Sequence, residues 1–257
     1  MILDCFTFHN EIEMLLVRLH YLHDLVDHFV ISESDRTHTG VLKPKYLKQY
    51  WNAIPEKIRG KIVCINAHLE NDDGKIDARW VREHFQRSSL IGAIRRHITT
   101  SNAIVIISDV DEIPHRDLLV TLRRTDIDRV VKLEQDCLIY NYKTYFGAWD
   151  SSLVGPIELL EVSNVNKLRL SKSVDILENC GWHFSYFLSP ADIVHKLKSY
   201  VHTEFNTSKI ADEDTIRRLI SERRDILQRS DRVFEEYDSS KIPKDLKNLL
   251  NLYFPVE

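Results

Sequence analysis

The chain has 257 residues, 43% of them hydrophobic, which is enough to bury one sizeable core. Its 35 Lys and Arg stand against 39 Asp and Glu, a formal net charge of -4. No global positive field exists to hold a polyanion, so nucleic acid is not an expected partner.

Residues 2–8 predict a short apolar strand. Met1-Ile2-Leu3-Asp4 lacks the basic start and apolar stretch of a signal peptide, and no run approaches the roughly 20 apolar residues that cross a bilayer. A cytoplasmic chain with no membrane span is expected. Asn10, followed three residues later by Glu13, predicts a helix opened by a capping box, continued by Ile12, Leu15, Leu16, Leu19 and Leu22 as one apolar stripe. Strand-like runs follow at residues 26–32, 61–67 and 103–108, the last apolar without alternation, as suits a central strand covered on both faces. A long helix is predicted over 77–97. This βαβ rhythm implies a mostly parallel sheet with right-handed crossovers, flanked by helices.

Residues 130–145 turn strand-like again and predict two antiparallel additions. Helices are expected over 190–200 and 212–228, before a Lys-rich tail. Cys5, Cys64, Cys137 and Cys180 lie far apart, with no zinc-site spacing, and read as buried thiols in a reducing compartment. No repeat or Pro/Gly-rich linker divides the sequence, so one α/β domain is expected, with a nucleotide-binding half near 1–114 and an acceptor side with C-terminal helices near 115–257.

The most informative segment joins the apolar strand 103–108 to Asp109-Val110-Asp111-Glu112-Ile113-Pro114, placing three carboxylates within four residues at a strand end. Ligands of open α/β sheets bind outside the carboxyl ends of strands, and clustered carboxylates there repel unless a cation compensates them. Hard oxygen ligands beside a diphosphate suit Mn2+ or Mg2+. Ordinary turn chemistry before Pro114 explains one Asp, but not two in alternation on a core strand's end. An Asp-x-Asp in this position also fits a haloacid-dehalogenase-like phosphatase with Asp109 as nucleophile, although Ile113 stands where those enzymes carry Thr or Val.

Several segments, in order, resemble glycosyltransferase family 17. They are Asp4-Cys5-Phe6-Thr7-Phe8 with Asn10-Glu11, residues 30–40, Gln86-Arg87, residues 107–114, residues 133–136, Gly181-Trp182-His183-Phe184-Ser185-Tyr186, and His202-Thr203-Glu204-Phe205-Asn206. The resemblance implies a GT-A-like fold, a UDP-sugar donor with N-acetylglucosamine among the candidate sugars, a glycan or other hydroxyl acceptor, inversion at the sugar carbon, and a divalent cation at the Asp-x-Asp. It implies that Asp111 binds the cation, and that Asp109 contacts the ribose or binds the metal through water. A late His often completes such a shell, which points to His183 or His202.

Other roles follow from position. Glu33, ending the second strand at the same edge, fits either a uracil N3-H or ribose hydroxyl, or a local cap. Arg36 and the Thr37-His38-Thr39-Gly40 turn fit a loop closing over the donor, or a plain solvated loop. Glu83, Gln86, Arg87 and Leu90 share one helix face, so Arg87 fits donor phosphates oriented by Glu83, or an i,i+4 surface pair. Trp182 and Tyr186 suit sugar stacking or the core. An inverting transfer needs a carboxylate base, for which Glu204, Asp136 and Asp192 are the candidates. A transferase, an Asp-nucleophile phosphatase and a non-catalytic nucleotide-sugar binder all remain open at this level.

Overall fold

A computed structural model describes residues 1–69, 76–97, 102–199, 212–227 and 233–255. The first part runs β1 (Ile2–Phe8), α1 (Ile12–Leu22), β2 (His28–Ser34), α2 (Tyr46–Gln49), α3 (Glu56–Arg59), β3 (Ile62–Ala67), α4 (Ile76–His97) and β4 (Ile104–Asp109). It continues with β5 (Glu112–Pro114), α5 (Arg116–Leu122), β6 (Val131–Ile139), β7 (Thr144–Pro156), α6 (Val165–Leu170), β8 (Ile176–Leu177) and β9 (Gly181–Ser185). The last described elements are α7 (Pro190–Ser199), α8 (Glu213–Ser221), β10 (Glu235–Glu236) and α9 (Lys244–Tyr253).

The strands form one sheet in the order β3-β2-β1-β4-β7-β6-β9-β5, with β10 beside β7 and β8 beside β6. The β3-β2-β1-β4 half is parallel throughout. Antiparallel β7 joins it to the second half, where β6 and β9 are again parallel. The expected α/β class, parallel first half and antiparallel additions are all present. No helix among the described residues is long and apolar enough to cross a membrane.

Alternation along β1 and β4 sorts the two layers of core. Ile2, Phe6 and Phe8, with Ile106, face the helix α1 side. Leu3, Cys5, Val105 and Ile107 face the layer that holds Leu90, Ile91 and Ile94 of α4. By the same period of two, Asp4 and Ser108 point to the α1 side, whereas Thr7 and Asp109, paired across β1 and β4, point to the α4 side.

Asp4 is fully buried because Arg18 of α1, equally buried, meets it with two bonds, Nε to Oδ2 at 2.8 Å and NH2 to Oδ1 at 2.5 Å. The remaining guanidinium hydrogens reach the carboxylate turn, where NH1 donates to the carbonyls of Asp109 (2.8 Å), Val110 (3.2 Å) and Glu112 (2.8 Å), and NH2 to Ser108 Oγ (2.7 Å). A charged residue thus stands in the apolar face of α1 because strand and turn jointly satisfy it.

Four expectations are corrected. Asn10 does not open α1; the cap position is Glu11, whose Oε2 accepts the backbone N–H of His9 (3.3 Å) and Asn10 (3.1 Å). Cys64 is exposed, because β3 lies at the sheet edge, while Cys5, Cys137 and Cys180 are buried as expected. The helix expected to reach residue 228 stops at Ser221, two residues before Arg223 takes a φ of 51°. The Lys-rich tail is not a plain tail but contains α9, whose Leu246 and Leu250 join the core on the α1 side.

Arg18→Met should lower the unfolding free energy by about 3–5 kcal/mol, the usual cost of leaving a buried charge such as Asp4 without its partner. Urea denaturation reads this directly. A loss below about 1 kcal/mol would show that water or another group replaces the guanidinium.

Candidate active site

The carboxyl ends of β1 and β4 open into a cavity of about 260 Å³. Asp109, Val110 and Asp111 form its floor, and Glu83, Gln86 and Arg87 of α4 line one wall. The shared helix face read from the sequence therefore turns to the site, with Leu90 continuing it into the core.

Both oxygens of Asp109 are engaged. Oδ1 accepts from Thr7 Oγ1 and from Arg87 NH2, each at 3.0 Å, and Oδ2 accepts from Arg169 NH2 at 2.6 Å. Burial would raise this carboxyl, but the Arg169 and Arg87 guanidinia outweigh it and hold Asp109 well below the usual carboxylate range. Arg169 comes from α6 and also binds the buried Glu112, NH1 to Oε2 at 3.0 Å and NH2 to Oε1 at 2.8 Å. Glu112 further accepts from the Asp109 backbone (2.8 Å), Ser152 Oγ (2.9 Å) and Trp149 Nε1 (2.6 Å). The three carboxylates thus have three different jobs. Glu112 is internal scaffolding, and Asp109 is an anchor whose two oxygens are hydrogen-bonded to Thr7, Arg87 and Arg169. Asp111 keeps a carboxylate in the cavity.

Opposite Asp111 lies His183, with Nε2 3.6 Å from Asp111 Oδ2 and Nδ1 3.6 Å from Cys137 Sγ. Burial lowers its basicity, but the Cys137 sulfur and the Asp111 carboxylate facing its two nitrogens prevail and raise it well above the ordinary imidazole value. Gly181, at φ 153°, lets β9 pass so close to β5 that an added Cβ would strike the Ile113 carbonyl. That close pairing sets His183 across from Glu112.

Alternation decides the neighbouring residues. Cys137 pairs with His183 and faces the cavity, so Asp136, paired with Trp182, faces the other way. Asp136 Oδ2 accepts the Tyr237 hydroxyl at 2.6 Å, and Trp182, 1% exposed, donates to the same hydroxyl at 3.2 Å. Asp136 is therefore removed as a base, and Trp182 is a core residue. Asp192 is exposed on α7 and closes a local cap with Ser189, Oγ to Oδ2 at 2.6 Å, so it too is corrected. His202 and Glu204 lie outside the described residues.

Glu33 also departs from expectation. Its Oε1 accepts the backbone N–H of Tyr46 (2.6 Å) and Leu47 (3.3 Å) and meets Lys43 Nζ (3.3 Å), which fixes the start of α2 and commits the carboxylate outside the cavity lining. Arg36 likewise is absent from the lining and braces its own loop through NH1 to Gly40 O at 3.0 Å. Gln86 does line the cavity, donating to Ser32 O (2.9 Å) and Phe8 O (3.3 Å), while its Oε1 contacts His38 Nε2 at 3.0 Å. Arg87 adds bonds to Glu83 (3.0 Å) and Asn166 (3.2 Å), and its buried Nε has no hydrogen-bond partner among the described residues. Tyr186 and Lys196 reach the cavity from the far side, the ammonium 5.3 Å from the Tyr186 ring centroid and 3.6 Å from Glu11 Oε1.

Sequence reasoning missed Arg18, Arg169 and Trp149. Arg18 had a signal: it stands three residues after Leu15 and four before Leu22, on the apolar stripe. Arg169 and Trp149 had none, because only the folded chain brings them to Glu112.

The family model described as Glycosyltransferase family 17 matches residues 1–253. Beta-1,4-mannosyl-glycoprotein 4-beta-N-acetylglucosaminyltransferases of Homo sapiens and Rattus norvegicus are each 31% identical over 128 residues, 49% of this chain and 24% of the relative. The chain therefore aligns with about a quarter of the length of those relatives. Among solved structures, HddC from Yersinia pseudotuberculosis superposes with a TM-score of 0.39 at 12% identity, over 69% of this chain and 89% of that one. A putative nucleotide-diphospho-sugar transferase from Desulfovibrio desulfuricans gives 0.37 at 10% identity, over 88% and 96%.

Asp109 titrates below its unfolded value of about 3.9, so its contribution to stability is present above that pH and is lost only as pH falls through the lower folded value. In Arg169→Met, burial is opposed by Arg87 and the Thr7 hydroxyl without the Arg169 charge, and the folded value rises. Melting curves from pH 7 to pH 3 should show the variant losing stability at a higher pH than the parent. Parallel curves would contradict the assigned role of Arg169.

Proposed function

Because the chain belongs to glycosyltransferase family 17, we propose that it transfers a sugar from a UDP-sugar to a glycan or other hydroxyl acceptor, with inversion and with a divalent cation at Asp111. The observation that carries this reading is the cavity at the carboxyl ends of β1 and β4, where Asp111 presents a carboxylate beside His183 while every other floor acid is already neutralised.

The donor set fits a sparsely ligated ion. No group of three or more His, Cys, Asp or Glu suited to a metal occurs among the described residues. Asp111 would offer one oxygen ligand and His183, on losing its proton to the incoming cation, one imidazole, a set that would suit Mn2+ or Mg2+ with the remaining ligands from phosphate oxygens and water. Such a cation, when bound, neutralises charge developing on the departing nucleotide. Arg87, rigidly oriented by Glu83 and Asp109, supplies fixed positive charge next to that position. Gln86 and His38, bonded to each other, give the same wall polar groups for the nucleoside. The family match favours this reading over a phosphatase with Asp109 as nucleophile, and the ion pairs of Asp109 with Arg87 and Arg169 suit an anchoring carboxylate. With Asp136 and Asp192 committed elsewhere, Glu204 is the remaining candidate for the base that takes the acceptor proton.

Asp111→Ala should stay folded and lose Mn2+-dependent UDP binding. Calorimetry checks it, and unchanged affinity in a folded variant removes the assignment of Asp111 to the cation. Arg87→Lys should weaken UDP binding about tenfold or more, since one ammonium cannot keep the contacts to Glu83, Asp109 and Asn166 while facing a phosphate. Equal affinity in parent and variant would exclude a phosphate role. The anomeric proton coupling of the product, read by NMR, should show a β-linkage from an α-linked UDP-sugar; an α-linked product rules out single displacement.

A further inference from the structure

The cavity has two chemically distinct walls. Thr7, His38, Glu83, Gln86, Arg87 and Asp109 make one polar and charged. Ile139, Phe146, Trp149 and Tyr186 supply apolar and aromatic surface on the other side, where Lys196 also reaches the cavity beside Tyr186. Asp111 and His183 lie at the seam. A nucleoside diphosphate matches the first wall, whose fixed guanidinium and amide groups suit phosphate and base. The second wall suits a flat surface rich in C–H bonds, and a pyranose presents one such face and ring hydroxyls at its edge.

Trp149 is the residue on that wall that is held in place by the site itself. Its indole N–H donates to Glu112 Oε1 at 2.6 Å, and its ring lies 4.7 Å from the His183 ring, tilted by 44°. Of the four tryptophans in the sequence, it alone is among the described residues that line the cavity. An aromatic ring fixed at its edge loses little further freedom when a ligand settles on it. Resting on the nucleotide-sugar reading of this site, we propose that Trp149 is the platform for the hexose of the donor. Position selects the hexose over the base. Trp149 borders His183, which faces Asp111 across 3.6 Å, and the hexose is bonded directly to the phosphate held at that seam. The base stands a ribose further off, toward Gln86 and His38.

The experiment compares Trp149→Leu and Trp149→Phe with the parent. Affinities for UDP, UDP-glucose, UDP-galactose and UDP-N-acetylglucosamine are measured by calorimetry with Mn2+, and thermal melting verifies folding. Glu112 Oε1 keeps its bond to Arg169 at 2.8 Å in both variants, so the carboxylate is not orphaned. Trp149→Leu should bind UDP within about twofold of the parent and lose about tenfold in affinity for the sugar nucleotide that the parent binds best. Trp149→Phe, which retains a ring, should lose less. Equal losses for UDP and sugar nucleotide would overturn the proposal, since the ring would then serve the base or the fold. Unchanged sugar-nucleotide affinity would overturn it as well, leaving the nucleotide-sugar reading intact. If the parent binds no UDP at all, that reading fails and this inference falls with it.

Discussion

One buried guanidinium organises the site. Arg18 spends two of its bonds on Asp4 in the adjacent strand and the others on Ser108 and three carbonyls of the turn that carries the acids. A turn leaving a buried strand exposes carbonyls that find no ladder partner, and burying them unpaired would be costly. Donors from a helix that is itself locked into the core solve this with rigid geometry. Asp109 and Asp111 are thereby held at the cavity floor, Asp109 against Arg87 and Arg169 and Asp111 beside His183.

Around this frame the charges are balanced by pieces from distant parts of the chain. Arg87 arrives from α4 and Arg169 from α6, and both converge on Asp109. Glu112 is closed off by Arg169, Ser152 and Trp149. Asp111, next to an imidazole rather than a guanidinium, is the acid left to interact with a ligand. Preorganised polarity of this kind needs no rearrangement when a charged substrate enters.

Much of the frame was legible in the sequence. Apolar runs without alternation marked the central strands, and the acids after residue 108 marked the sheet edge that opens into the cavity. The helix face of Glu83, Gln86 and Arg87 followed from the 3.6-residue period. Division of labour among the acids was not legible, because it depends on Arg169, whose short helix carries no motif. Asp136 and His183 show the same limit. Their types suggested base and ligand equally well, but the register of β6 against β9 decides that one faces Tyr237 and the other the cavity. Glu33 failed for a local reason: the strand end was read correctly, while the chain that returns at Tyr46 to claim its carboxylate was not. Arg18 and Asp4 do carry a sequence signal, since opposite charges inside an apolar stripe and an apolar strand call for each other.

The late arrival of Arg169 bears on how the chain is made. During synthesis β1, β4 and the acidic turn leave the ribosome well before α6, so Asp109 and Glu112 must wait through some sixty residues for their shared cation. Until then, closing the first half of the sheet over two ionised carboxylates is opposed by their desolvation, with Arg87 and the Thr7 hydroxyl the early partners of Asp109. The cavity floor therefore reaches its final charge balance only after α6, and with it the β6 and β7 strands that precede it in the chain, has been made.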